Sequence, residues 1–557
     1  MQQAAGITHN IKSFFTFERI FILILILAFL LRFSLLDLKL LHHDEALHAK
    51  FCYDLLTKGT WQYDPSYHGP FLYYVTTGLF ALIGPSDFAA RLLPSLFGFA
   101  IIPLVYCIYR IGYISKTQAL VAALFIAISP DMVYFSRFLR HDIFMLFFTI
   151  LLLVAILYYF ERGQTRFALL AAVAAACALC CKEEMPVLII LFSLIVVFFI
   201  WNKQFILKKH WKTDLLFATL LLITIMSILY SAFFNHPETL VGQHFNISPQ
   251  GFLFDAKTTG WYQAIEHWTN MHNLQRLGGP FYFYVPLFLL YELPIFILAI
   301  IGTARFMTGG LPPVLLFEKV KTWLRGRRFS IPNDEPAAAS LQQVQGGVEG
   351  NRKSMEFFRF CILWMLGTMV FYAYIGEKVP WLILPQLLPM CFIATYQLNW
   401  QKIAFALAGC IFLVIMTWHV AFVPADISEP IVQVQTSEDM REVMGLMDNA
   451  NLTLIASTNY WPLPWYYRGD RWEKVRLSRS MKDLDTMLQT KPEVIIFHDT
   501  ESYPSIPGYG KKTHKLSYWF SSYDNQDRLP EYYLRRDGQL GSINIDVFTQ
   551  DRVAVPS

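Results

Sequence analysis

Long apolar segments recur along this chain, and they constrain its fold more than any other feature. A transmembrane helix needs roughly 20 mostly apolar residues. The chain has 557 residues, of which 55% are hydrophobic and 16% charged. It carries eleven candidate spans, at residues 17–37, 88–109, 117–136, 142–160, 166–182, 184–201, 213–234, 283–303, 357–375, 382–397 and 402–424. The sequence therefore predicts a polytopic α-helical membrane protein with about eleven transmembrane helices.

One further apolar segment, residues 71–83, is only about a dozen residues long. This is too short to cross a bilayer. We expect it to form a juxtamembrane or re-entrant helix within the first external loop.

The basic residues indicate which side of the membrane each loop occupies. Lys203, Lys208, Lys209 and Lys212 lie in one connection, and the loop 304–356 carries further basic residues, among them Lys319, Lys321, Arg325, Arg327, Arg328, Arg352 and Lys353. Cytoplasmic loops are enriched in Lys and Arg. Eleven crossings with a cytoplasmic N-terminus place these loops inside, in the cytoplasmic (inner) membrane of a prokaryote, and leave the C-terminal region outside.

Two domains are predicted. Residues 1–424 form the membrane domain, with external loops 38–87 and 235–282 and the cytoplasmic loop 304–356. Residues 425–557 form a small external α/β domain, because strand-like runs (431–434, 452–456, 494–497) alternate with helical runs (439–447, 481–488). Membrane lipids are expected partners, and nucleic acid is not.

The first external loop begins with a dense cluster of ionisable side chains. His42, His43, Asp44, Glu45 and His48 follow the first span directly. Ionisable groups are costly near a bilayer, so such a cluster indicates a function. A simpler interpretation is a helix start with Asp44 as N-cap and Glu45 in the first turn.

Other polar residues fall on the same predicted face: His68, Arg137, Arg140, His141, Asp142, Lys182, Glu183, Arg276, Glu377 and Lys378. Each has a local explanation, since arginines anchor at interfaces, a lysine pairs with neighbouring glutamates, and a charged pair caps a turn. Their common placement favours a single site. We expect Asp44, Arg137, Arg140, Lys182 and Lys378 to converge on one cavity.

Such a site suits transfer of a group carried on a lipid phosphate. Arg137, Arg140, Lys182 and Lys378, with His68, would bind the phosphate, and a carboxylate would take the proton of an incoming hydroxyl. On a helix Asp44 and His48 share a face, while Glu45 points about 100° away. Asp44, Glu45, His43 and His48 could also hold a divalent cation, but their spacing is no specific metal motif.

These residues resemble a known group of enzymes. The segments HHDEALHA, YDPSYHGPFLYY, SRFLRHDIF, KEEMP, GEKVPWL and WPLPWYYRG are similar to the prokaryotic flippase-activity-associated membrane family of glycosylation clusters. That family resembles the GT-C glycosyltransferases, which include the protein O-mannosyltransferases and the lipid A aminoarabinose transferases.

The resemblance implies a GT-C fold and a polyprenyl-phosphate-linked sugar as donor. It assigns Asp44 as the base or acceptor-positioning residue, with Glu45 as its neighbour in the catalytic pair. The acceptor (glycan, lipid or protein) stays open. The alternatives are a flippase or flippase-associated role, for which Arg32, Glu292 and His419 are the candidate polar residues within spans, and a non-catalytic scaffold.

An aromatic stretch at residues 460–467, YWPLPWYY, stands out in the C-terminal domain. Aromatic rings stack on sugars, and they also pack against the bilayer surface. The sequence leaves both interpretations open.

Overall fold

The computed structural model describes residues 16–59, 61–243, 246–248, 251–253, 256–275, 278–309, 348–478, 481–503 and 505–550. Most of the predicted loop 304–356 and the candidate residue Arg276 lie outside these ranges.

The membrane domain is helical. Its helices are α1 (Phe17–Phe33), α2 (His43–Lys58), α3 (Phe71–Ile83), α4 (Asp87–Arg110), α5 (Lys116–Ile128), α6 (Pro130–Ser136), α7 (His141–Arg162), α8 (Thr165–Leu179), α9 (Met185–Trp201), α10 (Trp211–Tyr230), α11 (Glu238–Val241), α12 (Gly260–Leu274), α13 (Tyr284–Tyr291), α14 (Leu293–Met307), α15 (Val348–Tyr374), α16 (Leu384–Ile393) and α17 (Trp400–Phe422). A short ribbon of β1 (Asn246–Ser248) and β2 (Gly251–Leu253) and the 3₁₀ turns Pro65–Tyr67, Ala256–Thr258 and Pro380–Ile383 complete it.

Each predicted span coincides with helical structure, but the helices differ in length. Five helices of the described ranges are long and apolar enough to cross a membrane, or seven if each of two bent pairs counts as one span. Helices α8 and α9 are shorter apolar helices. The predicted short segment is helical over Phe71–Ile83.

Two spans are broken where polar side chains meet. Helices α5 and α6 bend by 56°, and α13 and α14 bend by 115°. Glu292, between α13 and α14, accepts hydrogen bonds from Ser129 Oγ at 2.5 Å and Asp131 N at 3.1 Å. Arg32 donates to the carbonyls of Ile126 and Ala127 at the end of α5. These buried groups therefore satisfy backbone atoms that the breaks expose.

The segment between α1 and α4 is fixed against the turn between α8 and α9. Gly69 N donates to Cys181 O at 3.0 Å, and Phe71 N donates to Cys180 O at 2.9 Å. A Cβ atom at Gly69 would collide with the Cys180 carbonyl. Only glycine permits this approach, which brings His68 next to Lys182 and Glu183.

The C-terminal domain is an α/β sheet domain. Its elements are β3 (Gln435–Thr436), α18 (Met440–Asn449), β4 (Thr453–Ala456), α19 (Leu463–Tyr466), β5 (Val475–Leu477), α20 (Met481–Leu488), β6 (Val494–His498), β7 (Tyr509–Phe520), α21 (Leu529–Arg535) and β8 (Leu540–Gln550), with 3₁₀ turns Gly469–Lys474 and Gln526–Arg528. The predicted strand at 431–434 is absent, because the chain becomes extended only at Gln435.

The six strands of this sheet are ordered β3-β7-β8-β6-β4-β5. Strand β4 pairs in parallel with both β5 and β6, while β8 pairs antiparallel with β6 and β7. Residues such as Ile455, Val494 and Val547 pack its core against α18.

The C-terminal domain contacts the segment between α1 and α4 directly. Tyr466 Oη accepts from Leu41 N at 2.8 Å, and Thr436 Oγ1 donates to Leu41 O at 2.7 Å. Asp87, at the start of α4, accepts from Trp465 Nε1 at 2.7 Å and from Tyr466 Oη at 2.8 Å. Trp465 and Tyr466 of the aromatic stretch therefore anchor the domain to the membrane part.

Candidate active site

The start of α2 places the acidic pair. His42 is its N-cap: His42 Nδ1 accepts from Asp44 N at 3.0 Å, and His42 N donates to Glu45 Oε2 at 2.9 Å. This reciprocal arrangement is a capping box. The interpretation of Asp44 as N-cap is thus wrong, and the Asp44 side chain is available for partners outside its own helix.

A chain of ion pairs runs from Asp44 across the end of three helices. Arg140 contacts Asp44 Oδ2 and, at 3.2 Å, Asp142 Oδ2. Lys182 Nζ lies 2.8 Å from Asp142 Oδ1 and 3.5 Å from Glu184 Oε1. Two cations alternate with three carboxylates, so each cation lies between two acidic side chains.

Arg140 also packs against an aromatic ring. Its guanidinium carbon lies 3.7 Å from the centroid of Trp381, which follows α15. A cation over an indole face is attracted by the ring quadrupole. The planar guanidinium is therefore oriented, with donors left for a ligand in its plane.

These residues line one cavity of about 350 Å³. Asp44, Arg140, Lys182, His43, His48, His68, Glu183, Glu184, Glu377, Tyr67, Trp268, His272 and Trp381 are in its wall. The structure therefore brings together Asp44, Arg140 and Lys182 of the five residues expected to converge.

His48 lies one turn after Asp44 and contacts Tyr73. Tyr73 Oη donates to Tyr67 O at 2.7 Å and lies 2.8 Å from His48 Nδ1. Because the single phenolic proton goes to Tyr67, His48 Nδ1 must be the donor to Tyr73. Nε2 is then the unprotonated nitrogen of this ring, and it can accept a hydrogen bond.

His68 forms another part of the wall, and His141, which does not line the cavity, packs against it with its ring 5.3 Å from the His68 ring. His68 Nδ1 lies 2.8 Å from Glu183 Oε2, and its ring stacks on Trp268 at 5.0 Å. His141 Nε2 donates to Gly69 O at 3.1 Å. Glu183 also accepts from Tyr63 Oη at 3.0 Å. This wall is a hydrogen-bonded frame around the cavity.

The cavity sets the protonation of its acids and bases. Burial opposes ionisation of Asp44, but the Arg140 guanidinium outweighs it and holds the Asp44 pKa well below its usual range. Burial, assisted by Arg140, lowers the pKa of His48 to about 3. At neutral pH Asp44 is therefore a carboxylate and His48 a neutral imidazole.

Glu183 titrates in the physiological range. Burial raises its pKa to about 7 from the usual glutamate value of 4.5. The folded protein thus keeps a proton that the unfolded chain releases between these two values. The resulting stabilisation is complete below about pH 4.5 and is lost as pH rises through about 7.

Glu183→Gln is accordingly expected to flatten the pH dependence of stability. Wild-type protein should lose up to about 3 kcal/mol between pH 5 and pH 8, because burial then opposes a charge. The glutamine variant should lose less. Thermal unfolding in detergent at several pH values measures this, with the exposed Glu473→Gln as control. Equal slopes for all three proteins would contradict the assignment.

A second, mostly apolar cavity of about 690 Å³ adjoins the first. It shares Lys182, Glu183, Trp268, His272, Phe371 and Ile375 with the polar cavity, and its remaining wall includes Ile223, Met226, Leu240, Trp261 and Ile265. A polar cavity with two cations therefore borders directly on an apolar one.

Glu45 lies outside the polar cavity. Its carboxylate is fully buried and receives two hydrogen bonds from Arg91, at 2.6 and 2.8 Å. It also accepts from Leu139 N at 2.9 Å. The hydrogen bonds that Glu45 accepts connect α2 with α4 and with the turn before α7. The geometry therefore indicates that Glu45 stabilises the packing of these elements.

Arg137 and Lys378 were expected in the cavity and point elsewhere. Arg137 donates to Ser34 O at 2.6 Å and Leu35 O at 2.7 Å, just after α1. Lys378 Nζ donates to the carbonyls of Tyr372, Ala373 and Ile375 at 2.5–2.9 Å. Both cations cap helix C-termini, where unpaired carbonyls attract positive charge. Neither contacts the polar cavity.

Several residues of the site carry no assigned role in the sequence interpretation. Trp381 orients Arg140, Trp268 stacks on His68, and Arg91 neutralises Glu45. Arg91 had a usable signal, since an arginine within an apolar span needs a partner. Trp381 lies in the GEKVPWL motif, whereas Trp268 had no such signal, because aromatic residues are frequent throughout this sequence.

The residues suggested for a divalent cation do not form a ligand set. Asp44 is paired with Arg140, Glu45 with Arg91, and His48 Nδ1 with Tyr73. In the part of the chain that the structure describes, no group of three His, Cys, Asp or Glu side chains is arranged to hold a metal ion.

Comparison with known proteins shows similarity to one family over part of the chain and a shared fold over nearly all of it. Residues 67–230 match the dolichyl-phosphate-mannose-protein mannosyltransferase family. This segment contains His68, Arg140, Lys182 and Glu183. No curated protein sequence matches the chain.

Solved structures of low sequence identity share the fold. ArnT from Cupriavidus metallidurans bound to undecaprenyl phosphate has a TM-score of 0.52 and 13% identity, covering 96% of this chain and 99% of that one. Its apo state gives a TM-score of 0.51 with the same identity and coverage. The Saccharomyces cerevisiae protein O-mannosyltransferase Pmt1-Pmt2 complex bound to the sugar donor is similar only in part, with a TM-score of 0.34, 18% identity and 40% and 35% coverage. The chain therefore shares its fold with ArnT, and its residues 67–230 are similar to the mannosyltransferase family; both findings support the predicted resemblance to the GT-C glycosyltransferases.

Proposed function

We propose that this protein transfers a sugar from a polyprenyl-phosphate donor to an acceptor hydroxyl in the cavity at Asp44. The observation that carries the proposal is Arg140, which lies between Asp44 and Asp142 in a polar cavity bordering an apolar one. The ArnT structure of the same fold holds undecaprenyl phosphate. That ligand supports the same donor class here.

The two adjoining cavities suit the two ends of such a donor. The phosphate would lie between Arg140 and Lys182, because charge-assisted hydrogen bonds to both cations offset its negative charge. The first isoprene units would occupy the apolar cavity beside Trp261 and Ile265. The sugar would then face Asp44 and His48.

Transfer follows from this placement. The acceptor hydroxyl attacks the anomeric carbon from the face opposite the phosphate, and the bond from that carbon to the phosphate oxygen breaks. Asp44 takes the hydroxyl proton. The polyprenyl phosphate leaves with the bonding electrons, and Arg140 and Lys182 stabilise the charge that develops on it. The anomeric configuration is inverted.

Donor binding would also activate Asp44. In the structure Arg140 pairs with Asp44 and keeps the Asp44 pKa low, which makes Asp44 a weak base. A phosphate that shares the guanidinium weakens this effect, so the Asp44 pKa rises when the donor is present. Neutral His48, on the same helix face, offers Nε2 to the same hydroxyl.

The reaction would take place on the external face. The basic residues of the connecting loops support a cytoplasmic N-terminus, eleven crossings and an external C-terminal domain. The polar cavity lies beside that domain, since His43 in its wall contacts Trp461.

The contacts of the polar groups within spans favour transfer over lipid transport. Glu292 binds Ser129 and Asp131, Arg32 binds backbone carbonyls, and His419 Nε2 lies 3.1 Å from Glu429. A translocation path needs polar groups that face a route through the bundle. These three are engaged in local contacts instead.

Arg140→Gln is expected to weaken binding of undecaprenyl phosphate by roughly 10- to 100-fold, because a charge-assisted hydrogen bond contributes about 1.5–3 kcal/mol. The variant also leaves Asp44 and Asp142 without their shared cation, which adds repulsion toward the phosphate. Titration of the detergent-solubilised full chain with undecaprenyl phosphate measures the affinity.

The matched control is Arg535→Gln, whose side chain is 72% exposed in the C-terminal domain. It should bind as the wild type does. Unchanged affinity in Arg140→Gln would place the phosphate elsewhere and overturn this assignment of the donor site.

A further inference from the structure

The C-terminal domain contains a pocket of its own, of about 610 Å³. It lies at the carboxyl ends of the parallel strands β4, β5 and β6. Its floor includes Leu477, Leu484 and Phe497. We call it the strand-end pocket.

Its position matches a general rule for α/β sheets. After β4 the chain continues to β5, at one edge of the sheet. After β6 it continues in the opposite direction, to β7 and β8. Adjacent parallel strands whose connections run in opposite directions leave a crevice at their carboxyl ends, and ligands bind there. The strand-end pocket occupies this crevice between β4 and β6.

The lining favours a neutral ligand rich in hydroxyl groups. Its rim carries the hydroxyls of Ser457, Thr458, Ser478 and Ser502, the carboxylate of Glu501 and the ring of Tyr460. None of the lining residues that the structure describes is a lysine or arginine, so a phosphate would meet Glu501 without a counter-charge. Hydroxyls, one carboxylate and an aromatic face are the groups that bind sugars.

The strand-end pocket is connected to the Asp44 cavity through two aromatic rings. The Tyr460 ring lies 6.5 Å from that of Trp461, nearly parallel to it. The Trp461 ring lies 6.3 Å from the His43 ring, which lines the Asp44 cavity. Trp465 and Tyr466 of the same stretch are engaged with Asp87. The rings of Tyr460 and Trp461 therefore lie between the strand-end pocket and the wall of the Asp44 cavity.

We propose that the strand-end pocket binds a neutral oligosaccharide, and that this glycan is the acceptor, held with one end directed along Tyr460 and Trp461 toward Asp44. The acceptor role rests on the proposed transferase function. The binding site itself does not, since it is built from a separate domain with its own lining.

The test uses the detergent-solubilised full chain on an array of hexose and N-acetylhexosamine oligosaccharides. Wild-type protein should bind a subset of these glycans, and Tyr460→Ala should weaken that binding at least tenfold because the stacking face is lost. Glu501→Gln keeps the shape of the side chain and should also weaken it, through loss of a charged acceptor.

Matched controls are Tyr523→Ala, an 83% exposed tyrosine in the same domain, and Glu473→Gln, an exposed glutamate; both should bind as wild type does. Thermal unfolding of each variant separates lost binding from lost folding. Absence of glycan binding by the wild type, or equal binding by wild type and the two pocket variants, would overturn the proposal.

The outcome is separable from that of the transferase proposal. Tyr460→Ala should retain binding of undecaprenyl phosphate, because Tyr460 lines neither the polar cavity nor the apolar one. Lost glycan binding alongside intact binding of undecaprenyl phosphate would reject the strand-end pocket and leave the donor site standing.

Discussion

Replacing Asp44 with asparagine is expected to reduce the rate of sugar transfer by about 10²- to 10⁴-fold. Asparagine preserves the shape of the side chain but cannot take the proton of the acceptor hydroxyl. Affinity for the donor should change much less, because Arg140 and Lys182 keep their contacts with Asp142. Release of undecaprenyl phosphate from a labelled donor in nanodiscs, with and without acceptor, measures the rate.

Asp54→Asn is the control on the same helix. Asp54 pairs with Lys50 and Lys58 in α2 and does not line the polar cavity. Its substitution should leave transfer within a factor of about three of the wild type, in line with the small contribution of such surface pairs. Transfer by Asp44→Asn at the wild-type rate would mean that another group accepts the proton.

The neighbouring substitution, Glu45→Gln, is expected to act on stability instead. It leaves Arg91 buried without its counter-charge, and breaking a buried ion pair in this way costs about 3–5 kcal/mol. Arg91 also donates to the carbonyls of Leu36, Lys39 and Leu40, so the joint between α1, α2 and α4 would loosen with it. Thermal or denaturant-induced unfolding of the purified protein measures the loss.

The control is Glu438→Gln, which removes one partner of the surface pair with Arg441. Exposed pairs contribute about 0–1 kcal/mol. If Glu45→Gln were as stable as this control but inactive, Glu45 would have to act directly on substrate, and the structural interpretation given to it would be wrong.

The contrast between Asp44 and Glu45 shows which features of the site the sequence could predict. Helix geometry alone separates the two side chains by about 100°, which predicts that only one of them faces any given cavity. Which of the two faces the cavity depends on Arg91 in α4, which binds Glu45. No local sequence pattern indicates that Arg91 pairs with a residue of α2. Adjacent carboxylates can be recognised as a pair, but their division of roles comes from long-range packing.

The basic residues give the same lesson. Arg137 and Arg140 are three positions apart, yet one caps the end of α1 and the other binds Asp44. Lys182 enters the cavity, whereas Lys378 folds back onto the end of α15. A side of the membrane can be predicted from charge counts, but the direction of a long flexible side chain depends on which carbonyls or carboxylates are near it.

In the C-terminal domain the two short strands β4 and β6 were predicted, whereas β3, β5 and the two longest strands were not. Strands β4 and β6 are continuous apolar runs that stand out in the sequence. Strand β7 begins with exposed lysines and β8 has mixed polarity along most of its length. Such strands form because they pair with each other over eleven registered positions, a non-local property that no short window of residues contains.

The N-cap of α2 has a consequence for the order in which the enzyme becomes competent. His42 fixes the first turn that presents Asp44, and His42 Nε2 in turn donates to Gln433 O, more than 390 residues later in the chain. Leu41 is held by Tyr466 and Thr436 in the same way. During synthesis the ribosome produces Asp44 early, and Gln433, Thr436 and Tyr466, which hold the start of α2, much later. The nascent membrane part therefore carries every group needed for chemistry long before it can align them, and activity begins only when the last domain docks.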